Sequence, residues 1–495
     1  MPSIEATPIM VEAVSDMTNP APPEVTYRSV LKHDNVKILA ASRAAAKMAG
    51  STLSYGAMVY LAQIGSSQIQ ISAVNAAQYL AAVIFGLQGG VLADSLSKRF
   101  ALLLGFCAQT ALCILIPFFL GTEFGALLML MFLTSILSQI ISPSLKAAVS
   151  IVSSPEELAT CAALVSLIGS VASAIGSGFI APILMKRSSI DVVLAVAGVL
   201  YFIGAIRAYK LPNAEQAMSV DSAVRSVDWK PQALSIRFNA KWVYEHRPVA
   251  SMMLIGGMCV ALFEGFNSLI PLYIVDVLHS DPANAIYIFA PASIGYIIGA
   301  VWGPALMHKF GERRLAIYSL SCMIFGLMCF GLIDKVGDPF AAINPLRLLT
   351  VFGISLSSLV LAAGMIAVPA NFGSTASGQA VNTYINRNVP VDNQGGVFGL
   401  NSVQNNMLNL CTIMGLGIVA AIVGPQTVFL VAPLLIGAVM IWFLRYSYLN
   451  AGEAAPTREE RRAFFRTEGD ETGEQNDDTD GPPNMPADDE AKRST

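Results

Sequence analysis

Residues 71–120 read ISAVNAAQYLAAVIFGLQGGVLADSLSKRFALLLGFCAQTALCILIPFFL. Two apolar runs, 71–93 and 99–120, are joined by a short connection holding Asp94, Lys98 and Arg99. Each run reaches the roughly 20 residues that a helix needs to cross the hydrocarbon of a bilayer. The stretch reads as a transmembrane hairpin, and the same test applied outward finds ten more runs. They are 39–64, 124–146, 159–185 and 190–208, then, after a polar gap, 250–278, 284–307, 313–333, 347–373, 398–423 and 426–447. The expectation is an all-α membrane protein of twelve spans in two six-helix halves.

Composition agrees. Of the 495 residues 54% are hydrophobic and only 13% charged, where a soluble domain carries about 25%. That deficit excludes a water-soluble globule and a nucleic-acid binder working through a broad basic surface. The net charge of −4 is the sum of unlike parts. Residues 1–35 contribute −3, residues 36–449 contribute +6 and residues 450–495 contribute −7. Five segments follow. They are a polar N-terminal stretch (1–35), a first half (36–208), a central loop (209–249), a second half (250–449) and an acidic, disordered tail (450–495). Within the tail, Arg458, Arg461, Arg462, Phe464, Phe465 and Arg466 suit an anionic membrane surface. The first 35 residues lack the pattern of a signal peptide, so the first apolar run is expected to stay as an anchor.

Orientation comes from the basic residues. With the N-terminus inside, the inner connections hold Lys98, Arg99, Lys146, Lys210, Arg225, Lys230, Arg237, Lys241, Arg247, Lys309, Arg313, Arg314 and Arg387. The outer ones hold Lys186, Arg187 and Lys335, with Arg347 at a helix start. By the positive-inside rule both termini and the central loop face the cytoplasm, in a multi-pass plasma (inner) membrane protein.

The seven cysteines lie in apolar runs without a CxxC pair, and His33, His246, His279 and His308 are scattered. No metal site and no cofactor is expected. HExxH, GxSxG and GxxxxGK are absent from the sequence, which argues against a membrane enzyme or an ATP-driven pump. The halves do echo one another. Gly90-Val-Leu-Ala-Asp94-Ser-Leu-Ser-Lys98-Arg99 corresponds to Pro304-Ala-Leu-Met-His308-Lys-Phe-Gly311-Glu-Arg313-Arg314. Pro155-Glu-Glu-Leu-Ala before Leu164-Val-Ser166 resembles Pro390-Val-Asp392 before Leu400-Asn-Ser402. Repeats of this kind place a central site between two halves that rock.

Twelve spans in a 6+6 arrangement, with Gly-x-Leu-Ala-Asp-x-x-x-Lys-Arg between the second and third, resemble the major facilitator superfamily over about residues 36–449. Three segments are similar to its enterobactin-exporter-like, drug-efflux branch. These are Pro143-x-Leu145-Lys146 to Pro155-Glu-Glu-Leu-Ala, His246-Arg-Pro248, and Val389-Pro390 to Gly395-Gly-Val397-Phe398-Gly399. The resemblance implies a cytoplasmic gate at Gly90, Asp94, Lys98 and Arg99, with a second-half counterpart at Gly311, Arg313 and Arg314. Departures from the family pattern are Ser95 for Arg, Ser97 for Gly, Gly396 for a frequent Arg, and Ser177 for Pro in a glycine motif with Gly169, Gly176 and Gly178. The gate motif also fits an ordinary helix-ending turn with positive-inside charges.

Charges inside the spans are few, so each needs a reason. Glu264 lies mid-span, where an ionised side chain costs on the order of 2.5–3.5 kcal/mol or more. It fits reversible protonation during transport, a permanent structural ion pair, or a solute contact. Arg43 and Lys47, four residues apart, share a helix face. Arg43 is near enough to the inner surface to snorkel, whereas Lys47 lies deeper and is the better cavity charge and a candidate partner for Glu264. Asn401, Asn405 and Asn409 form one face with Gln404 alongside. These four residues, with Asn75, Gln78, Gln109, Gln139 and Asn267, fit either interhelical glue or a neutral hydrogen-bonding cavity. Tyr55, Tyr60 and Phe266 are candidate aromatic walls. The expected function is secondary transport of a small organic solute by alternating access, in a monomer that exchanges the solute for protons. Uptake, lipid flipping and a non-transporting scaffold or receptor are the alternatives.

Overall fold

The structure, a computed structural model, describes residues 30–154, 157–212, 238–352 and 356–449. The side chains of Leu87, Asp94 and Ala159, and of 349–352, 391–393, 395 and 439–449, fall outside that description. So do the expectations placed on 1–29, on Arg225, Lys230 and Arg237, and on the tail.

Among the described residues, twelve long helices form the body. The first half holds α1 (Asp34–Gln63), α2 (Gln68–Ser95), α3 (Lys98–Leu120) and α4 (Phe124–Val152). It continues with α5, built of Leu158–Ile175, a π turn Gly176–Ile180 and Ala181–Arg187, and with α6 (Ile190–Tyr209). The second half holds α7 (Arg247–Asp276), α8 (Ile286–Phe310), α9 (Glu312–Gly331), α10 (Ser358–Asn388), α11 (Val391–Val423) and α12 (Pro425–Leu449). Among the described residues, ten helices are long and apolar enough to cross a membrane. The two others are α1, which carries Asp34, Lys37, Arg43 and Lys47, and α12, whose apolar part is given as Pro425–Ala438.

Local chemistry sets the helix ends. Ser67 caps α2 in a capping box with Gln70, Ser97 caps α3 by accepting from the Phe100 N–H, and Ser357 caps α10 by accepting from the Val360 N–H. Glycines at positive φ close α3 (Gly121, 70°), α8 (Gly311, 78°) and α11 (Gly424, 84°). Phe118, Phe119, Val301, Trp302 and Ile422 are exposed on the outside. That inverted surface suits lipid, which has no aqueous penalty for apolar side chains.

The repeat shows in the packing. In the first half α1 packs on α5, α2 on α4 and α3 on α6. In the second half α7 packs on α11, α8 on α10 and α9 on α12, which is the same scheme six helices later. Small residues permit these approaches: a side chain at Gly295 would meet the Val368 carbonyl, and one at Gly176 would meet the Met48 carbonyl.

Three boundaries differ from the sequence reading. The tenth span is 358–388 rather than 347–373, and Pro345–Phe352 is a 3₁₀ segment. Polar Asn371, Thr375, Ser377 and Gln379 remain helical because the helix satisfies its own backbone, and α10 ends only before Pro390. Lys146 is not in a connection, because α4 runs on through Ala147 and Ala148 to Val152. Arg387 likewise sits in the last turn of α10.

A charged site between the two halves

The helix rise of 1.5 Å per residue places Lys47 about 20 Å along α1 from Asp34 and Glu264 about 26 Å along α7 from Arg247. Each helix has 30 residues and so runs about 45 Å, which puts both residues near the middle of their helices. The Tyr79 hydroxyl, which α2 supplies from the other half, lies beside the Glu264 carboxylate. Lys47 lies within electrostatic reach of Glu264 but makes no ion pair with it inside 4 Å. Glu264 thus has a tyrosine neighbour that sequence reading missed. Its signal was present: Tyr79 follows Asn75 by four residues, on the same face of α2.

Lys47 has three charged neighbours: Arg43, Lys146 and Glu264. Lys146 in turn senses Arg43. Two cations thus come from one face of α1 and a third from α4, which packs on α1. Among the described residues none of the three has a carboxylate within 4 Å. The Arg43 Nε is buried without a hydrogen-bond partner, and the side chain lies over Gly169, whose missing Cβ leaves room for it. Lys47 and Lys146 both expose their side chains. Like charges roughly 8 Å apart at an effective dielectric near 20 repel by about 2 kcal/mol, so such a cluster is costly without a counter-charge.

The neutral candidates divide. Asn75 is buried and accepts from Gln78, which also reaches Ser54. Gln109 is buried and donates to the Thr134 carbonyl and Ser138 Oγ, so it ties α3 to α4. Gln139 donates to the Ser135 carbonyl of its own helix and packs on Gly86 and Gly89 of α2. These two fill helix seams rather than a cavity; spacing alone does not separate the two fates. Gln404 donates to the Met253 carbonyl across the α7–α11 seam. Asn401, Asn405 and Asn409 each keep a buried side-chain oxygen without a donor, and Asn267 on α7 is half-buried. Of the aromatic candidates, Phe266 is core packed on Phe429, and Tyr55 meets Phe289 edge-on at 5.1 Å. Tyr60 lies 3.4 Å from Thr122 through its hydroxyl.

Several contacts join the halves at the end opposite the basic turns. Gln63 donates to Asp281 (3.1 Å), Gln68 to the Ser268 carbonyl (3.3 Å) and Lys186 to Asn284 (2.8 Å). Tyr55 on Phe289, Gly178 beneath Phe289 and Gly417 against Ser72 complete this seal.

At the basic end, Lys98 donates to the Ala93 carbonyl (3.1 Å) and the Arg99 guanidinium lies 4.5 Å from the Tyr209 ring centre. Gly90 has open space where a Cβ would stand. The side chain of Asp94, the acid of the expected gate, is outside the described residues. Arg313 donates to the Tyr384 hydroxyl (2.6 Å) and Arg387 to Glu312 (3.1 Å), both within the second half, and Arg314 lies beside Arg313 on α9. Glycine is required at Gly311, where φ is 78°, but not at Ser97, where φ is −59°. The Ser177 departure falls in the π turn of α5, a local widening of the kind that recurs at functional sites.

Twelve helices in two equivalent halves, with charges between them, define a membrane carrier. Residues 44–383 match the profile of the Major Facilitator Superfamily, and the chain belongs to that family. It is a membrane transporter, not an enzyme. A curated relative, Macrolide efflux protein A of Streptococcus pyogenes, is 20% identical over 318 residues, covering 62% of this chain and 76% of the relative. The fold is similar to the crystal structure of the nucleoside transporter NupG, with TM-score 0.58 and 15% identity over 84% of this chain and 99% of that one. It is also similar to a bacterial homologue of the human lysosomal transporter Spinster, in an inward-facing and unoccupied conformation. There the TM-score is 0.59 and the identity 14%, over 87% and 99% of the two chains.

Proposed function

We propose that the protein is a proton-coupled carrier that exports a small organic solute from the cytoplasm by alternating access. One observation carries the reading: Glu264 of the second half stands mid-helix, beside Tyr79 of the first and within reach of Lys47. A proton arriving on that carboxylate changes an electrostatic contact between the two halves, and a two-state carrier needs such a lever. The basic end, with Lys98, Arg99, Arg313 and Arg314, is assigned to the cytoplasm by the positive-inside rule. The opposite end is sealed by the Tyr55–Phe289 and Gln63–Asp281 contacts. The exposed side chains of Lys47 and Lys146 fit access from the cytoplasmic side, as in a carrier waiting to load from inside. Export, rather than uptake, is supported by the likeness to a macrolide efflux protein.

The test is solute flux by the purified full chain in proteoliposomes with an imposed pH gradient. Accumulation that collapses when a protonophore dissipates the gradient is expected. Accumulation indifferent to the gradient would reject proton coupling.

A further inference from the structure

We infer that the transported solute is an organic anion, whose carboxylate or phosphate group is seated by Arg43, Lys47 and Lys146 of the first half. The inference rests on the transport reading and adds the charge of the solute.

Three facts point the same way. First, the cations converge: two from one face of α1 and one from α4, all within electrostatic reach of a neighbour in the set. Lys146 lies within α4, six residues before its end, rather than in a loop. Second, the set is under-compensated. Among the described residues no carboxylate lies within 4 Å of any of the three cations, and Glu264 brings one negative charge within reach of Lys47. Third, the site is ready for a ligand. Lys47 and Lys146 expose their ammonium-bearing side chains, and the Arg43 Nε is a buried donor with nothing to donate to. A planar guanidinium with two flexible ammonium groups is the donor set that carboxylate and phosphate oxygens fit. An anionic group there would satisfy the idle donor and relieve the mutual repulsion. A cationic solute would add to that repulsion, and a neutral one would leave it in place.

The same proteoliposomes decide this. They are loaded with an equimolar library of three size-matched sets: monocarboxylates with phosphomonoesters, their amides and alcohols, and the corresponding primary amines. Solutes moved under a pH gradient are identified by mass spectrometry. Anions are expected to dominate by at least tenfold, and the carboxylate and phosphate arms show which group is preferred. Lys47→Gln should cut anion flux at least tenfold, while Lys47→Arg retains most of it, with size-exclusion profiles confirming folded protein. Dominance of amides, alcohols or amines would overturn the anion assignment and leave the carrier reading standing. No movement of any set, with the gradient intact, would overturn the carrier reading and this inference together. Anion flux unchanged in both Lys47→Gln and Lys146→Gln would overturn the seat.

Discussion

The first half carries Arg43, Lys47 and Lys146 within electrostatic reach of one another, whereas the second carries Glu264 and the amides of α11. Both halves rest on the same helix pairings, six helices apart. The frame was therefore kept while the chemistry facing the interior diverged. A symmetric frame needs only small residues where helices cross, such as Gly176 and Gly295. An asymmetric interior is what a carrier needs to hold a solute charge on one side and a proton site on the other.

The comparison can be broken most directly by reversing a charge. Lys47→Glu should reduce flux about a hundredfold or more, since it sets two carboxylates near each other and removes one cation. Combining it with Glu264→Lys should recover part of the loss if the two residues act as a pair. Flux in the single variant equal to wild type would show that the first half's charges are incidental. Tyr79→Phe comes next. A hydroxyl that hydrogen-bonds a charged group during the cycle contributes about 1.5–3 kcal/mol, so flux at a fixed pH gradient should fall at least about tenfold with thermal stability little changed. Loss of stability without loss of flux would make Tyr79 a packing residue.

Smaller effects concern the frame. Gly311→Ala should destabilise the protein by about 1–3 kcal/mol, because the backbone at Gly311 lies in a glycine-only region. Ser97→Gly at the equivalent turn should cost only a few tenths of a kcal/mol. Equal losses in thermal unfolding would deny that the two turns differ in strain. Gln404→Met, which removes the donor to the Met253 carbonyl, should cost about 0.6 kcal/mol and spare flux.

The fold was legible because bilayer thickness sets span length, and most helix ends followed from apolar runs bounded by Ser, Gly and Pro. The tenth span slipped because its end is polar: Thr375, Ser377 and Gln379 look like loop in a hydropathy window, yet helical hydrogen bonding carries them. Lys146 was counted among the connections for the same reason. The site was legible only in part. Glu264 and Lys47 stood out as charges in apolar surroundings, but Tyr79 is an unremarked aromatic until the helix across from it is known. The amides were not separable by spacing, since Gln109 and Gln404 tie helices together while Asn401 and Asn409 keep idle oxygens.

Glu264→Gln gives the most direct test, because it removes the titrating charge and keeps the shape. Flux should be compared with wild type in proteoliposomes under the same imposed pH gradient, and again as gradient-free exchange. Uphill accumulation should be lost in the variant while downhill exchange persists and the protein elutes as folded. Uphill accumulation at the wild-type level would contradict the account.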